Sequence, residues 1–186
     1  MEIKDKNISF NLFALTGFGN DVLAYLYENG FEIKGLYSRN EKGPYPYFEI
    51  EHIYRASKRL EIPTYFVNLT GDWDIQEEAD INLVCTFHRV FKAKHLKKAF
   101  YNINIHPGLL PHYSGRSPFS KMIEDGVDEV GICAHEMTHH IDSGSILVSV
   151  VYHYSANSES DLRQFLSSHM RDALRLTIER IRECKK

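Results

Sequence analysis

Two separated stretches carry side chains whose types and spacing suit the stabilisation of charge on a carbonyl oxygen. In Asn104-Ile-His106-Pro107 an amide and an imidazole lie two residues apart, so on a strand both point to the same side. Pro107 ends that strand directly after the histidine, which places the pair at an edge of the sheet. An amide donor beside an imidazole can hold charge that develops on a carbonyl. Asp142, in Asp142-Ser-Gly144, sits on a glycine-bounded loop leading into an apolar run. A carboxylate there could orient His106 and keep it cationic by raising its pKa. Read as structure alone, the same residues are a strand-end histidine and the turn aspartate of an Asp-x-Gly bend.

Two further motifs point elsewhere. His135-Glu-Met-Thr-His139 has the His-Glu-x-x-His spacing with which a helix presents two zinc ligands and a general base on one face. Gly131 precedes it, Gly144 follows, and the stretch between is poor in helix formers, so a strand and a polar loop are expected, with no metal. Zinc metallopeptidase chemistry is the rival from another class. Gly17-Phe18-Gly19-Asn20 reads as a glycine turn opening a helix. It lacks the third glycine of a dinucleotide fingerprint and a well-placed ribose acid, but its N–H groups could meet an anion or polar ligand.

These groups must be positioned by the elements around them. Asn11 to Thr16 is an apolar run, Asp21 to Asn29 has helical spacing, and Phe31 to Tyr37 alternates as a strand does. A Gly-, Pro- and Tyr-rich loop, Arg39 to Tyr47, leads to helical spacing from Phe48 to Leu60 and a strand at Pro63 to Val67. Asp80 to Phe87 is the continuous apolar run of a strand buried on both faces. Lys92 to Ala99 reads as a helix, Tyr101 to Ile105 as a strand and Ser117 to Asp125 as a helix. Val130 to Thr138 and Gly144 to His153 read as strands, and Ser158 to Cys184 as one long helix. The alternation predicts an α/β fold: a Rossmann-like, mostly parallel, doubly wound sheet of about seven strands with flanking helices. Ligands of such sheets sit at the carboxyl ends of the strands, so the loops after Thr16, Phe87 and Ile105 are where chemistry is expected.

Composition narrows the partners. With 186 residues, 43% hydrophobic and 25% charged, the chain suits a single domain over residues 1–186. A formal net charge of −3 offers no basic footprint for a phosphate backbone, so no nucleic acid is expected. Cys85, Cys133 and Cys184 fit neither a disulfide framework nor a metal knuckle, which favours a reducing compartment. The charged N-terminus and the absence of an 18-residue apolar run predict a cytoplasmic protein without a membrane partner. The glycosylation triplets at Asn7 and Asn68 are then accidental.

Together the motifs resemble the formyltransferase family, which includes glycinamide ribonucleotide formyltransferase, the catalytic domain of methionyl-tRNA formyltransferase and the sugar N-formyltransferases. The resemblance rests on Asn104-Ile-His-Pro-Gly-Leu-Leu-Pro-His-Tyr-Ser-Gly115, Ile141-Asp-Ser-Gly-Ser-Ile-Leu147 and Cys85-Thr-Phe-His-Arg-Val-Phe91, and covers Leu12 to Val151. It implies transfer of a formyl group from 10-formyltetrahydrofolate to a small-molecule primary amine. Asn104, His106 and Asp142 would be catalytic. Phe87, His88, Arg89, Val90 and Phe91, with Thr138, His139, His140 and Ile141, would form the folate pocket. Gly17, Phe18, Gly19, Asn20 and Gly108 would meet the acceptor. A homodimer is left open.

Departures from the family's pattern bear on the acceptor. The C-terminal barrel of the tRNA enzymes is not matched. Where the glycinamide ribonucleotide enzymes carry a phosphate-holding Ser-Asn pair and a late glutamate, this chain has Asn20-Asp21 and His169-Met-Arg171. The resemblance therefore favours an amino-sugar acceptor over glycinamide ribonucleotide. A hydrolase releasing formate from the same folate would use the same three residues.

Overall fold

The computed structural model describes residues 8–183, so Met1 to Asn7 and Cys184 lie outside the described residues. Its elements alternate as the patterning predicts: β1 (Ser9–Ala14), α1 (Phe18–Glu28), β2 (Glu32–Ser38), α2 (Ile53–Arg59), β3 (Thr64–Phe66), β4 (Ala79–Cys85), α3 (Ala93–Leu96) and β5 (Ala99–His106). Then follow α4 (Pro118–Asp125), β6 (Glu129–Glu136), β7 (Ile146–His153), α5 (Glu159–Ser168) and α6 (Met170–Glu183). The seven strands form one sheet in the order β3-β2-β1-β4-β5-β6-β7. Neighbours from β3 through β5 pair in parallel, while β6 runs antiparallel to both β5 and β7. The strand order reverses between β1 and β4, which is where a crevice opens at the carboxyl ends of such a sheet.

Strand parity divides the core. Phe10, Leu12 and Ala14 of β1 face a large cluster with residues of α1, α4, α5 and α6, among them Leu23, Phe119, Leu166 and Leu174. Phe13 faces the opposite side and packs with Tyr37, Trp73, Ile75, Val84 and Phe91. That second face is covered by the β3–β4 connection and the short α3 rather than by long helices, and its core is aromatic: Phe13 stacks on Tyr37 at 4.5 Å and meets Phe91 edge-on at 4.8 Å.

The same face carries a polar ladder. Asn11 donates to Asn82 at 3.1 Å, Asn82 to Asn102 at 2.8 Å, and Asn102 to the Leu96 carbonyl at 2.8 Å. Amides linked to one another and to the Glu77, His95 and Leu96 carbonyls fix the relative register of β1, β4 and β5, because a slip of one residue would strand each of them among apolar side chains.

Three helices differ from the expectation: α3 is only Ala93–Leu96, because Ala99 already belongs to β5 and pairs with Ala79. The helix α2 starts at Ile53, not Phe48, because Tyr45, Tyr47 and Phe48 fold into an aromatic cluster on the preceding loop. The long C-terminal helix is broken at His169: the Ser168 hydroxyl and His169 Nδ1 both reach the Phe165 carbonyl, at 2.7 and 2.8 Å, and draw it out of the helical ladder.

The turn before β7 is held by contact. A Cβ on Gly144 would lie 1.8 Å from the Glu136 carbonyl oxygen, a backbone atom that cannot swing aside. Gly144→Ala should therefore displace the Asp142 loop and cost about 1–3 kcal/mol. Thermal unfolding would read this as a drop of several degrees in Tm, and an unchanged Tm would contradict the packing described.

Candidate active site

β5 delivers Asn104 and His106 on one side of the strand, and antiparallel pairing sets His135 of β6 directly opposite Asn104. Asp142 arrives from the β6–β7 loop with φ of 50°, a left-handed conformation that aspartate tolerates better than most residues. Its carboxylate gathers the others. Oδ1 accepts from Asn104 Nδ2 at 3.2 Å and lies 3.4 Å from His135 Nε2; Oδ2 accepts the Gly115 N–H at 2.8 Å and lies 3.6 Å from His106 Nδ1. The side chains of Asp142, His106 and His135 are 7%, 6% and 2% exposed, so these charges act where water screens them little.

Hydrogen bonds decide which atoms are available. His106 Nε2–H donates to the Tyr113 carbonyl at 2.6 Å, leaving Nδ1 as the nitrogen that titrates beside Asp142. That contact needs Gly108, whose added Cβ would come within 3.0 Å of both His106 Nε2 and the Tyr113 oxygen. Asn104 Nδ2 donates to His135 Nε2 at 3.0 Å as well as to Asp142, so both amide hydrogens are engaged. The opposite amide orientation would set its oxygen against the carboxylate. His135 Nδ1–H donates to the Glu136 carbonyl at 2.8 Å, which leaves Nε2 to accept from Asn104, 3.4 Å from Asp142 Oδ1.

The electrostatics amend one expectation. Burial pushes the His106 imidazole below its ordinary value, and the attraction of Asp142 and the Tyr113 carbonyl does not make up the difference. His106 is therefore neutral at pH 7 in the free chain, not held cationic. Burial also opposes ionisation of Asp142, yet hydrogen bonding to His135 and Gly115 and, at the acid pH where the carboxyl titrates, the then cationic His106 hold it below the usual carboxylate range.

The group borders a cleft of about 580 Å3. Of the residues expected to meet folate, Phe87, His88, Arg89, Val90, Phe91, Thr138, His139, His140 and Ile141 all line it. Arg89 does so with its guanidinium spent on the carbonyls of Asn68, Thr70 and Gly71. Of those expected to meet the acceptor, Phe18 lines it, while Gly17, Gly19, Asn20 and Gly108 do not. The Asn20 side chain is occupied within the chain, accepting Gly17 N–H at 3.0 Å and donating to the Glu51 carbonyl at 2.9 Å. Met170 is fully buried in the core and Asp21 accepts the Ser167 hydroxyl. Residues outside the expected folate and acceptor sets also line the cleft: Thr16, Arg39, Glu41, Tyr45, Tyr47, Arg116 and Arg163. They come from segments distant in the chain, and only the aromatic richness of the Arg39–Tyr47 loop signalled any of them.

The His-Glu-x-x-His stretch is not a helix. β6 ends at Glu136, His135 is buried beside Asp142 and His139 is exposed. Among the described residues no group of three His, Cys, Asp or Glu side chains is arranged to hold a metal ion, and no helix is long and apolar enough to cross a membrane.

Comparison with known proteins places this geometry. A family model described as formyl transferase matches residues 54–173. The chain is 30% identical over 111 residues to a methionyl-tRNA formyltransferase of Orientia tsutsugamushi, covering 56% of this chain and 36% of that protein. It is 28% identical over 123 residues to formyltetrahydrofolate deformylase 1 of Arabidopsis thaliana, covering 62% of this chain and 38% of that protein. The chain thus spans well under half the length of these relatives. Among solved structures it is similar to phosphoribosylglycinamide formyltransferase from Bacillus halodurans, with a TM-score of 0.74 at 17% identity over 93% of this chain and 94% of the other, a likeness of fold.

The geometry around His106 predicts its titration. NMR of the imidazole should give a midpoint below the ordinary 6.5, and Asp142→Asn, which removes the attraction favouring the cation, should move it lower still. A wild-type midpoint above 6.5, or an upward shift in the variant, would refute the assignment.

Proposed function

The chain belongs to the formyl transferase family, and from that premise we propose that it is a 10-formyltetrahydrofolate-dependent N-formyltransferase acting on a primary amine of a small molecule. The observation that carries the reading is the Asp142 carboxylate, which joins Asn104, His106 and Gly115 at the wall of one cleft. The cleft suits the folate chemically. Val90 and Ile141 are apolar and exposed on two of its walls, Phe87 adds an aromatic surface, and His88 Nδ1 is buried without a partner. A flat heteroaromatic ring with donors on its edge matches such a lining.

When bound, the folate supplies an electrophilic formyl carbonyl. The chain's own residues handle the proton. His106 Nε2–H is committed to Tyr113, so only Nδ1 can take up a proton, and burial keeps that atom free to act as a general base toward an acceptor ammonium. Asp142 Oδ2, 3.6 Å away, then stabilises the imidazolium. The donors available to a carbonyl oxygen that gains charge are the protonated His106 and the Asn104 amide. Both Asn104 hydrogens are engaged in the free chain, on Asp142 and on His135, so one must leave its partner to reach that oxygen.

For the acceptor we favour a primary amine on a nucleotide-linked sugar over glycinamide ribonucleotide. By the resemblance, Asn20-Asp21 and Met170 stand in place of that enzyme's phosphate-holding Ser-Asn pair and late glutamate, and here Asn20 and Met170 are engaged within the fold.

Two assays test the reading. In steady-state formyl transfer, Asp142→Asn should lower kcat by about a hundredfold or more with little loss of folate affinity. The His106→Ala loss should combine with it far less than multiplicatively, as for groups acting as a unit; near-normal turnover of Asp142→Asn would reduce Asp142 to a turn residue. In a competition between the two amines, efficient use of glycinamide ribonucleotide would overturn the acceptor choice, and formate released without any amine would identify a hydrolase.

A further inference from the structure

The head of α1 is where a doubly wound sheet ordinarily leaves N–H groups free for an anionic ligand. Here a carboxylate of the chain sits at the turn just before it. Glu41, on the loop after β2, sends Oε2 to the Thr16 N–H at 3.1 Å and to the Thr16 hydroxyl at 2.5 Å. Thr16 is fixed in turn, its hydroxyl accepting the Ile53 N–H at 3.2 Å. The other carboxylate oxygen lies 3.6 Å from Arg39, and the Glu41 side chain is 12% exposed. Gly17 N–H is already taken by Asn20, and the Tyr45 hydroxyl lies so close that a Cβ on Gly17 would sit 2.5 Å from it.

Glu41 and Tyr45 line the same cleft as His106 and Asp142. Two of the arginines that line the cleft are engaged: Arg39 lies beside Glu41, and Arg163 pairs with Glu159 at 2.7 Å and is held between the rings of Tyr47 and Phe119, 3.9 Å from each centroid. A phosphate arriving at the β1–α1 turn would therefore meet a largely buried carboxylate, with the Thr16 and Gly17 N–H groups already in use. Repulsion between like charges is strong in such a setting. Hydroxyl or amino groups, by contrast, can donate to the remaining lone pairs of Glu41.

We propose that Glu41 is a specificity-determining residue at the acceptor end of the cleft, its carboxylate seated on Thr16 in the turn that leads into α1, so that the acceptor presents hydroxyl or amino donors, and not phosphate, to this end. Only the word acceptor rests on the formyl-transfer reading; the seating of Glu41 on Thr16 does not. A sugar ring turned toward Glu41 would satisfy it, with any nucleotide phosphates lying elsewhere.

The test uses the full chain, inorganic phosphate as the probe, and neither folate nor amine. In wild type, the amide signals of Thr16, Gly17 and Phe18 should not shift as phosphate is titrated through the millimolar range. Glu41→Ala frees the Thr16 N–H, the Thr16 hydroxyl and Arg39 together, so the same amides should then shift saturably, with affinity at least about tenfold above wild type. Glu41→Ser should behave likewise and guards against a folding defect in the first variant. Saturable shifts in wild type, or folded variants that gain no phosphate binding, would overturn the proposal. A chain that fails to transfer formyl groups would leave this result standing, so the two readings fail separately.

Discussion

The site is held together by one carboxylate. Asp142 is the single acceptor group that three elements converge upon: β5 through Asn104 and His106, β6 through His135, and the loop before α4 through Gly115. A buried carboxylate stays ionised only if its lone pairs are met by donors, so its environment cannot loosen at one contact without weakening the others. This explains why the β6–β7 loop accepts a left-handed aspartate and a glycine pressed against the Glu136 carbonyl: the backbone cost is carried to bring the carboxylate in.

Strand parity supplies the platform. On β5 the side that carries Asn104 and His106 also carries Asn102, the end of the buried ladder from Asn11 through Asn82. The ladder locks three parallel strands in register, and that register determines how far along the sheet His106 emerges. Stability and function are thus coupled through polar groups on one face, while the apolar mass lies chiefly on the other, against α1, α4, α5 and α6.

The cleft is asymmetric in the way it is built. One end is walled by residues whose polar groups are turned back into the chain, as Arg89 is onto three carbonyls and His88 Nε2 onto Val67. The other end is closed by the Arg39–Tyr47 loop, tied to α5 through Arg163 stacked on Tyr47 and through a hydrogen bond from the Ser160 hydroxyl to the Tyr47 carbonyl. A loop pinned at both of these points presents its tyrosines as a fixed wall.

The sequence by itself determined the alternation of strands and helices, the apolar run of β4, and the placing of Asn104 and His106 side by side at a strand end, because periodicity and a following proline are local properties of the chain. It also exposed the poverty of helix formers around His135-Glu-Met-Thr-His139, and the stretch is indeed strand and loop. Only the tertiary structure decided which nitrogen of His106 faces Asp142, since that depends on the Tyr113 carbonyl seven residues away. It likewise decided the sign of the His106 shift, because desolvation is set by everything packed around a side chain and outweighs the one charge that the sequence brought to notice. The commitment of both Asn104 hydrogens, the covering of one sheet face by a connection rather than helices, and the seating of Glu41 on Thr16 all join residues far apart in the chain. Such contacts leave no periodic trace in the sequence, because they are fixed by how the strands and loops close in space.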